Sequence, residues 1–158
     1  MRELVEAVAR VAELERRVAG MVRHGTVEQV DPQKQRVRLR LGGTDDKPFI
    51  GPWVPYAQIA GALKVHTPPS VGQQMTLLSP TGDPRQAVAL PMTWSNQNAA
   101  PSEKGDEHVL TFGDCRIELR GNEIIVKVPR LFVECDGSTF ELTGGGLKMV
   151  APDYQFDN

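Results

Sequence analysis

Few side chains in this 158-residue sequence stand at spacings that do chemistry. His24, His66 and His108 are far apart, so no local pair offers a metal two imidazoles. Cys115 and Cys135 fit neither a zinc nor a redox spacing. There is no Gly-x-Ser-x-Gly elbow, phosphate loop or His-Glu-x-x-His helix, and Gly144-Gly145-Gly146 reads as a turn. Glu118 and Glu141 recur on what alternation makes a solvated outward face. Lys34, Arg36, Arg38 and Arg40 alternate with Val37, Leu39 and Leu41, which places the cations on one face of a strand. Such a stripe can track phosphates, but no aromatic pair beside it offers a stacking platform. Docking on an acidic protein surface is the preferred reading. The expectation is a protein without catalytic residues, metal or cofactor.

The elements that carry these residues come next. The chain has 15 Gly and 12 Pro with only 6% aromatics, the composition of a turn-rich β protein. Its formal charge of −2 gives no general attraction to nucleic acid or membrane. Residues 1–100 carry 12 Lys+Arg against 9 Asp+Glu, whereas residues 101–158 carry 6 against 11, so a boundary is expected near residue 100. No run approaches the roughly 18 to 20 apolar residues of a membrane span. The start, MRELVEAVARVAELERR, is amphipathic and contains acids, unlike a signal peptide, so synthesis in a cytosol is expected.

Residues 1–19 read as an amphipathic helix, strongest over 3–18. Leu4, Val11 and Val18 repeat every seventh residue, with Ala7 and Leu14 on the same side. The stripe suits docking on the helix's own domain, or on a partner or sister chain. Residues 20–92 read as a small barrel. MVRHGTVEQVD and QRVRLRLG alternate across the turn Asp31-Pro32-Gln33, and QQMTLLS and RQAVALP form a second hairpin over Pro80–Pro84. Between them runs a longer crossing with Pro52, Pro55, Pro68 and Pro69. About five strands in this span is the size of an OB-fold. Trp53 and Trp94 flank the crossings and are expected in the core or at a subunit interface. Residues 93–107 read as a polar neck.

Residues 108–158 contain an internal repeat. At an offset of 23 residues Glu118 aligns with Glu141, Leu119 with Leu142, Gly121 with Gly144 and Pro129 with Pro152. Each unit reads as strand, Gly turn, strand, and a strand begun by proline. The inward set is Ile117, Leu119, Ile124, Val126, Val128, Leu131, Val133, Phe140, Leu142, Leu147, Met149 and Phe156. Cys115 and Cys135 fall on the same face, as buried inert thiols with a disulfide as the alternative. One such ribbon has a single apolar face and open edges, which is unstable alone. Three ribbons wrapped as a prism solve both problems, giving a homotrimeric needle roughly 30–35 Å long from seven strands at about 4.8 Å each.

The order of these parts resembles the phage baseplate assembly protein V family, the central tail spikes of contractile-tail phages. The resemblance rests on VRHGTVEQVDPQKQRVRLRLG, WVPY and HTPPSVGQQMTLLSPTGDPRQAVALP, and most specifically on Pro68–Gly72 and Ser79–Asp83. It implies an all-β chain with an N-terminal helix, an OB-fold barrel and an intertwined triple-stranded β-helix formed as a homotrimer. It also implies a place in the virion tail baseplate, with hub and tail-tube proteins as partners. The implied role is to plug the tube and puncture the host outer membrane when the sheath contracts. Leu4, Val11, Val18, Lys34, Arg36, Arg38 and Arg40 are the candidate hub-docking residues. Many members bind iron at the tip through a His-x-His pair; this sequence has none, so a blunt tip or a separate tip-capping protein is expected, the cap preferred. Three copies of His108 near one axis would suit a metal, but a solvated neck histidine is the preferred reading. The competing functions are an OB-fold nucleic-acid binder with an oligomerising β tail, and a receptor-binding fibre.

Overall fold

The computed structural model describes residues 1–154, and the chain divides into two compact units, 1–100 and 101–158. In the first, α1 (Arg2–Met21) runs without a break into β1 (Val22–Asp31). Then follow β2 (Arg36–Gly43), β3 (Pro48–Ile50), β4 (Val54–Pro55), β5 (Gln74–Leu78) and β6 (Val88–Pro91). The sheet order is β3-β2-β1-β5-β6, with β4 also on β2. The residue after β4, Tyr56, makes a parallel bridge to Ala89 in β6, and Ala57 N–H donates to the Ala89 carbonyl at 2.8 Å. That bridge draws the two ends of the sheet together around one core.

The core is Val27, Val37, Leu39, Val54, Tyr56, Met75, Leu77, Ala87 and Ala89, with Val30 and Leu41 packed against it. Alternation explains it: Val37 and Leu39 of β2 point inward, and Arg36, Arg38 and Arg40 point outward. Trp53 and Trp94 are not core residues; they are 38% and 65% exposed. Trp53 stands between Pro52 and Pro55 just before β4, and Trp94 follows the end of β6 at Pro91, so both sit on irregular backbone outside the strands.

The helix does not dock along its own barrel. Leu4, Val11, Leu14 and Val18 are all more than half exposed, and Gly20 is the one buried helix residue. Only the last turn is held, by the loop Ser79–Asp83. Ser79 N–H donates to the Met21 carbonyl at 2.7 Å, and buried Ser79 Oγ donates to the Asp83 carbonyl at 2.6 Å. A side chain at Gly20 would stand 2.4 Å from the Gly82 carbonyl, so the two backbones touch where neither residue has a Cβ.

The second unit contains two three-stranded antiparallel sheets. β7 (Glu107–Phe112), β8 (Cys115–Arg120) and β9 (Glu123–Lys127) form one. β10 (Arg130–Cys135), β11 (Ser138–Thr143) and β12 (Gly146–Val150) form the other. The offset of 23 maps each strand of the first sheet onto one of the second, but the grouping differs from the expected one. β10, begun after Pro129, opens the second sheet instead of closing the first, and β7 belongs to the first. The repeat is therefore 107–127 and 130–150, with Val128 and Pro129 as the joint.

Candidate functional site

Cross-strand register sorts the first sheet into two faces. His108, Leu119 and Ile124 lie side by side, as do Leu110, Ile117 and Val126, with Phe112 opposite Cys115. The other face carries Glu107, Arg120 and Glu123; Val109, Glu118 and Ile125; and Thr111, Arg116 and Lys127. In the second sheet Leu131, Leu142 and Leu147 form one row, and Val133, Phe140 and Met149 the next. The apolar rows are uncovered in the single chain: Ile124 is 70% exposed and Phe112 89%, and Leu119, Val126, Val133, Leu142, Leu147 and Met149 stand near one half. Ile117 is only slightly less open, and Val128, Leu131 and Phe140 are half-buried. Phe156 lies outside the described residues. Cys115 and Cys135 are free thiols on this apolar face, exposed in the isolated chain, where buried ones were expected. Cross-strand register sets the described strand residues of the expected inward set on one face of each sheet, and among the described residues nothing covers that face.

Leu110 and Phe112 belong to the same face and were missed by the sequence reading. The offset of 23 pairs them with Val133 and Cys135, which was the available signal.

The opposite face corrects the reading of Glu118 as a solvated carboxylate: its side chain is 2% exposed. Arg116 Nε donates to Oε1 at 2.6 Å and Lys127 Nζ at 3.2 Å, while Arg120 Nη2 donates to Oε2. Arg120 also reaches Glu107 at 3.1 Å and Glu123 at 3.3 Å. Glu107 accepts from Ser102 Oγ at 2.6 Å, and Arg116 Nη1 donates to the Pro101 carbonyl at 3.1 Å. Long guanidinium side chains lie over a short row of the sheet and seal the carboxylate beneath them. The hydroxyl of Ser102 holds Glu107 below its ordinary range. The hydrogen bonds from Arg116 and then Lys127 hold Glu118 well down, from 4.5 to about 2.

The sign of the linkage follows. Glu118 is depressed in the folded chain, so its contribution is complete above its unfolded value and is lost as pH falls from about 4.5 toward 2. Thermal melting is expected to drop through that window, and Glu118→Gln should flatten the drop while lowering the melting temperature at pH 7. An equally steep acid limb in the variant would assign the acid sensitivity elsewhere. Glu141, the repeat equivalent, has Arg130 as its one cation partner among the described residues and stays partly open. Arg130 also lies 4.9 Å from the centroid of the Phe132 ring.

The basic stripe is shorter than expected. Gln35 has φ of 55°, which ends the extended run before Lys34, so Lys34 sits in the turn and interacts with Asp31. Arg38 Nε donates to the Gly51 carbonyl at 2.9 Å and lies 5.8 Å from the Trp53 ring centroid. Arg40 pairs with Asp45 at 2.8 Å. Arg36 is exposed. His24 hydrogen bonds to Thr76 Oγ1 at 2.9 Å, and His66 and His108 are exposed. Among the described residues no three His, Cys, Asp or Glu side chains gather as a metal site. No helix among them is long and apolar enough to cross a membrane.

Residues 23–94 match the family described as the Type VI secretion system/phage-baseplate injector OB domain. The spike protein of Escherichia phage P2 is 30% identical over 148 residues, covering 93% of this chain and 61% of that protein. Residues 23–94 carry the domain of the phage baseplate assembly protein V family, and the similarity to the P2 spike protein supports the same family for the chain. It spans about three fifths of the length of the curated relative it matches. Within this baseplate family the matched stretch takes in β1 to β6 and the whole barrel core, so the fold of residues 23–94 is that of the injector OB domain. The similarity to the P2 spike protein extends well beyond the barrel into the repeat.

Proposed function

We propose that this chain is a structural central spike of a contractile phage tail baseplate, acting as a homotrimer. The observation that carries the reading is the row of apolar side chains left uncovered on both sheets of the second unit, with Ile124 at 70% and Leu110 at 69% exposed. Three copies would turn these faces inward and pair the edge strands β7, β9, β10 and β12 between chains, as an intertwined triple-stranded β-helix. Each strand would then be tied to other chains, so bending the shaft would require breaking ladders and exposing apolar surface together. The charged face, with Glu118 sealed under Arg116, Arg120 and Lys127, would point outward and keep the shaft from adhering.

The work is mechanical and no residue acts as a catalyst. The OB barrels form the collar that meets the baseplate hub and tail tube and closes the tube. The needle crosses the host outer membrane when the sheath contracts. The chain is made in the host cytoplasm and ends in the virion tail baseplate.

The first test is the solution mass of the full chain by light scattering. A mass near three times 17.4 kDa is expected. A monomer that shifts with single-stranded DNA in a salt-dependent manner would replace this reading with the nucleic-acid-binding one.

A further inference from the structure

We propose that α1 closes on the α1 helices of sister chains as a short parallel coiled coil, a self-association surface additional to the sheet faces. The inference rests on the three-copy reading above for the number of helices brought together. In heptad terms Leu4, Val11 and Val18 occupy one seam position and Ala7, Leu14 and Met21 the other. All are exposed in the single chain, and the barrel takes only the end of the helix.

Charge complementarity identifies the occupant. Most charges on α1 are matched within the helix: Arg2 with Glu6, and Glu13 with both Arg16 and Arg17. Among the described residues Arg10 and Glu15 have no charged partner. They flank the seam on opposite sides, five positions apart. In a parallel, in-register coiled coil that spacing sets Arg10 of one helix against Glu15 of the next. The cation and its missing acid are thus supplied by two copies of one sequence. Glu3, also without a partner, lies in the first turn, where it complements the helix N-terminus.

Direction follows from the barrel. Gly20 against Gly82 pins the C-terminal end of α1, so copies gathered side by side by symmetry send their helices out the same way. Two and a half heptads are too short to associate alone. They associate here because the rest of the chain raises their local concentration.

The test is oxidative crosslinking of the full chain carrying Leu4→Cys on the seam or Ala9→Cys on the far side, with the unsubstituted chain controlling for Cys115 and Cys135. Leu4→Cys should give one interchain disulfide per assembly, and Ala9→Cys none above background. Arg10→Glu or Glu15→Arg should slow that crosslink on the order of twofold to fivefold, and the double reversal should restore it. The inference is overturned if the mass is still three chains but Leu4→Cys crosslinks no faster than Ala9→Cys, the seam then being reserved for a foreign surface. It is also overturned if the double reversal is no faster than the single ones. Loss of the three-chain mass in the unsubstituted protein would sink the trimer reading itself, so the two failures are distinguishable.

Discussion

Ile124→Asp should give a chain that still folds its barrel and fails to assemble. Ile124 sits in the row with Leu119 and His108 and is 70% exposed in the single chain, so the substitution costs the isolated sheet little. In the proposed assembly the same position faces two copies of itself. Each chain would forfeit roughly 1.5–3 kcal/mol of side-chain burial. Three carboxylates would also be confined together without counter-charges, each at a desolvation cost of several kcal/mol. That sum exceeds what a few interchain strand pairs return, so the mass should fall from three chains to one. The near-match control is Ile125→Asp. Ile125 is next in sequence but lies in register with Glu118 and Val109 on the charged face, so its variant should keep the assembled mass. Assembly of Ile124→Asp, or loss of assembly in Ile125→Asp alone, would mean that the charged face is the one turned inward.

This pair of neighbours shows how far the sequence could be read. Period-two alternation separated Ile124 from Ile125 without a structure, because a strand offers side chains only two directions. The same rule placed Val37 and Leu39 in the barrel core and Arg36, Arg38 and Arg40 outside it. Alternation reports direction and not cover. Glu118 lies on the face opposite Ile117 and Leu119, yet Arg116 and Arg120 two positions away and Lys127 on the neighbouring strand bury it. The clue was a carboxylate framed by arginines on its own face. The phase of the repeat was missed for a different reason. At the offset of 23, Glu107 meets Arg130 and His108 meets Leu131, so composition hides β7 while register reveals it. The stripe on α1 was legible, but what it packs against was not, since a seam reads the same whether the other side is a barrel, a hub or a sister helix.

The two most specific words of the sequence, Pro68–Gly72 and Ser79–Asp83, each end on or contain a glycine with positive φ, and their substitution should separate strain from collision. Gly72 has φ of +83° and Gly82 of +76°, so an alanine at either pays the same left-handed penalty of about 1 kcal/mol. A Cβ at Gly72 would meet the Gln97 amide at 2.8 Å, the far end of a side chain that can swing away. A Cβ at Gly82 would stand 2.4 Å from the Arg17 carbonyl, which belongs to the last turns of α1 and cannot move without the helix. Gly72→Ala is therefore expected to cost about 1 kcal/mol and Gly82→Ala about 3 kcal/mol, the difference being overpacking of backbone against backbone. For a unit of roughly 100 residues that is a drop in melting temperature of about 4–8 °C against well over 10 °C. Relief of the collision would also loosen the Ser79–Met21 hydrogen bond, so amide exchange at Ser79 should quicken in Gly82→Ala and not in Gly72→Ala. Equal losses in the two variants would mean that the loop does not hold the helix end. The joint is rigid because glycine is present on both sides of it: Gly20 lets the loop approach the helix, and Gly82 lets the loop turn there.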